Sequence, residues 1–163
     1  MQKLLIVVVA LLFVGCIREE VEKPLPIKLT REHACRVCGM ITVDLPGPKA
    51  QIHYENGNID TFCGILHMFS FYLQPDRPKN ISAIYVNDMG KSGKEHPEDH
   101  WIDAMKAFYV YGGDAVGPHG GAIIPFSDIK NADAYVKEDG GGVVMFDDIT
   151  MDMLKLDAHF SHS

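Results

Sequence analysis

Apolar and polar positions along the chain fall into three regimes. Leu4 to Val14 form an unbroken apolar run behind Lys3. Residues 17–31 then mix charge with proline and show no apolar period. From about residue 33 the pattern alternates between short β-branched or aromatic stretches and helically spaced apolar positions, punctuated by glycine and proline. In this third regime Met40–Val43 and Ala50–Tyr54 read as strands, separated by a Leu45-Pro46-Gly47-Pro48 loop, and Asn56-Gly57 reads as a turn. Phe62, Ile65, Leu66, Phe69 and Leu73 share one helical face, which predicts a helix over 61–73 that stops before Pro75. Ile81 to Val86 reads as a strand.

The same order recurs further on. Ala107–Tyr111 is a strand, 112–121 a glycine-rich loop, and Ala122–Phe126 a strand. Ser127 is a candidate helix cap. Asp128–Lys137 is a helix with Ile129, Ala132 and Val136 on one side, Asp139-Gly140-Gly141-Gly142 breaks the chain, and Val143–Phe146 closes it. Gly47-Pro48 of the first loop aligns with Gly117-Pro118 of the second. Neither unit is large enough to bury a full core alone, so the expected fold class is α+β, two similar small ββαβ lobes packed together. The expected organisation is a signal segment over 1–15, a tether over 16–31, the first lobe with its linker over 32–99, and the second lobe with a tail over 100–163.

The two leading regimes bear on location. A charged start, a short apolar run and small residues before a cleavage point describe an export signal, and the run falls short of the ~20 residues that span a bilayer. Leu12-Phe13-Val14-Gly15-Cys16 resembles a bacterial lipoprotein signal, in which the cysteine becomes the lipidated first residue. Lipidation at Cys16 predicts an extracytoplasmic protein held at a membrane by its lipid anchor, with the 17–31 segment as a solvated tether. The chain has 15 Lys and Arg against 22 Asp and Glu, a formal charge of −7. With no basic cluster to neutralise phosphates along a strand, a nucleic-acid partner is not expected. No phosphate loop, nucleophile elbow or dinucleotide motif is present.

Chemistry concentrates in Cys35-Arg36-Val37-Cys38-Gly39-Met40. Two thiols and a thioether within six residues are soft donors suited to Cu(I), and Gly39 lets the backbone turn so that flanking ligands converge. The same residues also read as a redox pair, as half a zinc site, or with Met40 merely opening a core strand. Once Cys16 is acylated, three thiols remain, an odd number that leaves at least one unpaired. Cys63 and His67, four residues apart, lie on one side of the predicted helix. With Cys35 and Cys38 they form a tetrahedral zinc set, although a buried structural cysteine among Phe62, Leu66 and Phe69 is the plainer reading. Met89, in Asn87-Asp88-Met89-Gly90, is a candidate metal or partner contact; His96 and His100 fall in an acidic linker, and His159 and His162 in the tail.

Several motifs in order resemble the NosL family of copper-binding lipoproteins accessory to nitrous oxide reductase. They are Cys35-Arg36-Val37-Cys38-Gly39-Met40, Pro46-Gly47-Pro48-Lys49-Ala50-Gln51-Ile52, Phe62-Cys63 with Met68-Phe69, Ala83 to Gly90, and Trp101-Ile102-Asp103-Ala104 followed by Phe108-Tyr109-Val110. The resemblance covers roughly residues 33–150. It implies two similar ββαβ lobes and a non-catalytic periplasmic Cu(I) carrier for the copper–sulfide centre of nitrous oxide reductase. The implied partner is a membrane maturation complex with an ABC transporter. The resemblance places the copper ligands at Cys38 and Met40, with Cys35 as a secondary thiolate. Relatives place Met-Gly in the second-lobe loop where this chain has His119-Gly120, and a neutral imidazole binds Cu(I), so His119 is the expected further donor. The alternatives are a structural zinc-binding scaffold and a Cys-x-x-Cys thiol–disulfide reductase.

Overall fold

The computed structural model describes residues 22–92, 100–114, 116–117 and 119–154. The signal segment, Cys16, His96, His159 and His162 lie outside them.

Two antiparallel sheets organise the described residues. In the first lobe β1 (Ala50–Tyr54) and β2 (Ile59–Phe62) form a hairpin, α1 (Ile65–Tyr72) follows, and β3 (Ile81–Asn87) returns along the other side of β1. After the single turn α2 (Met89–Ser92), β4 (Trp101–Asp103) joins the edge, giving the order β2-β1-β3-β4. The second lobe contains β5 (Phe108–Gly113), β8 (Ile124–Phe126), α3 (Ile129–Asp139) and β9 (Gly140–Met145) in the order β8-β5-β9. A small hairpin, β6 (Val116–Gly117) with β7 (Gly120–Gly121), is inserted between β5 and β8. Without β4, both sheets carry the second strand, the first and the third in that order, with the helix between the second and third. The chain is two similar ββαβ lobes, as the repeat in the sequence implies.

The first lobe reaches that topology with a different strand pair from the one expected. Met40–Val43 forms no strand: Ile41 makes a lone bridge to Ala34, and Thr42–Asp44 is a 3-10 turn. Thr61 and Phe62 end β2 instead of opening a helix. The Asn56-Gly57 turn, with Gly57 at φ +82°, brings Ile59-Asp60-Thr61-Phe62 back onto β1. Extended Gly64 then separates that strand from α1. Gly47-Pro48 therefore precedes β1, whereas Gly117 follows β5, so the two loops are not equivalent in the repeat. Trp101–Asp103 belongs to the first sheet, past the expected boundary at residue 99.

The lobes share one core. Phe69 on α1 lies 4.9 Å from Phe146 and 5.4 Å from Tyr109, ring centre to ring centre, and both partners belong to the second lobe. A polar latch reinforces the seam. Fully buried Asp88 accepts from the Gly90 and Ser127 N–H groups at 3.0 and 3.2 Å and from the Ser127 hydroxyl. Ser127 is thus committed to Asp88, and Asp128 caps α3 by accepting from Lys130 N–H. Gly90 passes so close to α3 that a Cβ there would sit 2.5 Å from Asn131 Nδ2.

Every residue of β1 is buried, including Gln51 and His53, which alternation would leave half exposed. The cover comes from residues expected to be free tether. Ile27 N–H donates to Gln51 Oε1 at 2.9 Å and Ile27 O accepts from Gln51 Nε2 at 3.0 Å. Tyr85 OH donates to Pro24 O at 2.7 Å, Lys23 pairs with Asp103 at 2.8 Å, and Leu29 is buried. The N-terminal segment is a strap laid along the first lobe.

Because the Gln51 amide nitrogen is used on Ile27 O, its oxygen is the acceptor for His53 Nε2–H at 2.7 Å. Burial holds the His53 pKa below its ordinary value. The folded chain therefore resists a proton that the unfolded chain accepts. This contribution to stability is complete above ~6.5 and erodes as pH falls below it, by at most about 1.4 kcal/mol per pH unit. Urea midpoints measured from neutral to mildly acidic pH should fall less steeply for His53→Gln than for wild type. Parallel slopes would refute the assignment.

Candidate metal centre

The Cys-x-x-Cys segment forms a knuckle. Cys35 N–H donates to Met40 O at 2.7 Å and Gly39 N–H to Cys35 O at 2.8 Å, with Gly39 at φ +73°, a conformation that favours glycine. The knuckle is stitched to the end of β2. Arg36 N–H donates to Thr61 O, and the Thr61 hydroxyl donates to Ala34 O, each at 2.9 Å. At its other end Thr42 donates both its N–H and its hydroxyl to His33 O, again at 2.9 Å.

Thr61 stands two residues before Cys63, so this stitching sets both knuckle thiols against Cys63. The entry into α1 adds His67, in the helix's first turn. The ligand atoms of Cys35, Cys38, Cys63 and His67 all lie within 4.8 Å of one another. Cys38 Sγ is 3.7 Å from Cys63 Sγ, while His67 Nδ1 is 3.5 Å from Cys35 Sγ and 3.3 Å from Cys63 Sγ. A tetrahedral metal with sulfur ligands at ~2.3 Å sets those sulfurs about 3.8 Å apart, and a nitrogen ligand closer still. The spacing fits one soft ion. Cys35 and Cys63 are buried and Cys38 is half-buried, which leaves one thiol accessible at the edge.

The second lobe supplies a fifth donor. His119, in the turn between β6 and β7, places Nε2 3.4 Å from Cys63 Sγ and stacks on the His67 ring at 4.1 Å. Desolvation, then the neighbouring His67, holds the His119 pKa below its ordinary value and keeps a lone pair available. Hydrogen bonding from Cys63, then from His67 and the backbone N–H groups, drives the Cys35 thiol well down. The same bond and burial push Cys63 up.

Of the residues singled out in the sequence, Cys35, Cys38, Cys63, His67 and His119 are brought together. Met40 is bound to the cluster through its backbone, its carbonyl accepting from Cys35 N–H, and the residue is 48% exposed. Met89 joins His67 and His119 in lining a groove of about 270 Å³ between the lobes, with Pro46 and Pro48 on one side and Ile123 on the other. Lys49 shapes that groove, a role that its place in the Pro46-to-Ile52 motif did not reveal. Its buried ammonium donates to Leu45 O at 2.6 Å, Pro46 O at 3.1 Å and Gly47 O at 2.5 Å, drawing the proline loop around itself.

Residues 26–154 match the NosL family. The chain belongs to this family. It is 37% identical over 162 residues to the copper-binding lipoprotein NosL of Stutzerimonas stutzeri, covering 98% of this chain and 85% of that protein. It is 35% identical over 154 residues to the copper-binding lipoprotein NosL of Achromobacter cycloclastes, covering 91% and 80%. The crystal structure of the copper chaperone NosL from Shewanella denitrificans matches with a TM-score of 0.74 at 32% identity, over 80% of this chain and 98% of that one. NosL proteins bind metal and are not enzymes, which sets aside the thiol–disulfide reductase. The knuckle agrees: Cys35-x-x-Cys38 opens no helix, the setting in which such pairs gain a reactive thiolate.

Proposed function

We propose that this NosL protein is an extracytoplasmic Cu(I) carrier. In this reading a lipid on Cys16 anchors it to a membrane, and it delivers copper to a membrane maturation complex with an ABC transporter for the copper–sulfide centre of nitrous oxide reductase. The observation that carries the reading is the convergence of three thiols and His67 at metal-ligand spacing, with His119 beside them. Thiolates are the preferred donors of Cu(I), and imidazole completes low-coordinate sites. Copper-binding relatives support the choice of cargo. Cys38 and His119 stand at the accessible edge, so an incoming ligand displaces them first while Cys35 and Cys63 still hold the ion. Met40, exposed beside Cys38, serves in this reading as the neutral donor that first captures copper.

The four-donor geometry also supports a second reading, structural zinc, because a Cys3His tetrahedron is a standard closed zinc site. One experiment separates them. The reduced protein is offered Cu(I) and Zn(II) together, and bound metal is counted. One equivalent of copper that passes to a strong thiolate acceptor supports the carrier. Zinc that survives the same challenge, with copper excluded, overturns it.

A further inference from the structure

A second cavity, of about 300 Å³, shares no residue with the groove at the metal centre. It opens between the strap, the connection from α1 to β3, and the start of β3. Arg77 Nε and Ser82 Oγ, both in its wall, are buried and have no hydrogen-bond partner among the described residues. A buried donor left unpaired is costly, and two in the wall of one cavity call for an acceptor. The Arg77 guanidinium carbon sits over the Tyr72 ring, 4.1 Å from its centre, a contact that holds the side chain in the wall. Lys79 adds a second positive charge to the wall. Asp103 is the one carboxylate among the lining residues, and Lys23 already offsets it at 2.8 Å. On a chain of net charge −7 this is a localised basic site.

Its surroundings narrow the choice of anion. Leu25 is 83% exposed between Pro24 and Pro26, in the segment that Tyr85 and Lys23 pin beside the cavity. Lys23 also lines the cavity itself and is seven residues from Cys16, so the cavity lies at most ~25 Å of extended chain from that residue. A basic cavity, a protruding leucine and a short leash are the ingredients of a surface that rests on lipid.

We propose that this cavity binds the phosphate of an anionic phospholipid headgroup, so that the anchored domain lies on its membrane in one orientation. Arg77 and Ser82 donate to the phosphate oxygens, Lys79 supplies charge, and Leu25 enters the acyl boundary. The proposal rests on lipidation at Cys16 as read above.

The test uses the processed full chain in vesicles of phosphatidylcholine, with and without phosphatidylglycerol, read by amide hydrogen exchange. Residues 77–84 should be protected about fivefold more on the anionic vesicles, the effect of one basic side chain near a charged surface. High salt, Arg77→Gln and the exposed-site variant Lys79→Gln should each reduce that protection. In solution, sn-glycerol 3-phosphate should shift the Arg77 and Ser82 resonances, and Leu25→Ser should weaken only the vesicle effect. Protection that ignores lipid charge overturns the proposal, as does glycerol phosphate binding without any vesicle effect, which would mark a site for free phosphate. Mass spectrometry of Cys16 reports the anchor separately. An unmodified cysteine would overturn the anchor reading and the membrane assignment together, whatever the soluble phosphate does.

Discussion

Replacing Cys63 with serine should abolish metal retention while leaving a folded protein. Cys63 is the hub of the centre, with Cys38 Sγ at 3.7 Å, His67 Nδ1 at 3.3 Å and His119 Nε2 at 3.4 Å around its sulfur. Serine keeps the size of the side chain but supplies a hard oxygen that stays protonated at neutral pH. Removing an outer partner of a metal ligand already costs 10- to 100-fold in affinity, so losing the central thiolate should cost at least about a hundredfold. Competition with a Cu(I) chelator measures this directly. The thermal midpoint of the metal-free variant measures the separate packing cost at a fully buried position. If Cys63 is only a core residue, the midpoint will fall and copper retention will not. Met40→Leu is the natural contrast, since a neutral thioether at an exposed position should matter far less than a buried thiolate.

Phe69→Ala should be among the most damaging core substitutions, at about 3–5 kcal/mol. The ring is fully buried and contacts Tyr109 and Phe146 across the seam between the lobes. The cavity left by truncation would therefore open in the core of both lobes at once. Urea unfolding should shift as one transition, whether followed through first-lobe or second-lobe probes. A biphasic curve, with one lobe keeping its wild-type midpoint, would show that the shared core does not couple them.

The second lobe was legible because its breakers stand where its elements end: α3 runs to Asp139 and the glycines that follow open β9. The first lobe was harder for a physical reason. Phe62 fits the helical period of Ile65 and Phe69, yet it is buried from a strand, and only long-range pairing with β1 decides between the two. The burial of Gln51 and His53 was not legible because the strap that covers them has no periodic pattern of its own. At the centre, the spacing of Cys63 and His67 is visible in the sequence, but their meeting with Cys35 depends on bonds between Thr61 and the knuckle, across 25 residues or more. His119 reaches the cluster through the inserted β6–β7 hairpin, not through any symmetry of the Gly-Pro loops. For Met40, the turn at Gly39 brings its carbonyl to the Cys35 N–H and leaves the residue half exposed.

The aromatic seam of Phe69, Tyr109 and Phe146 has a mechanical consequence. A carrier whose halves met only at their surfaces would release cargo by opening like a clamshell, and its residence time would follow its overall rigidity. Here the halves share one core, so in the proposed carrier the ion would leave through local give at the knuckle and at the turn that bears His119. Durability of the scaffold and speed of unloading are thus set by different residues. Either one is free to be tuned, by selection or by an engineer, without disturbing the other.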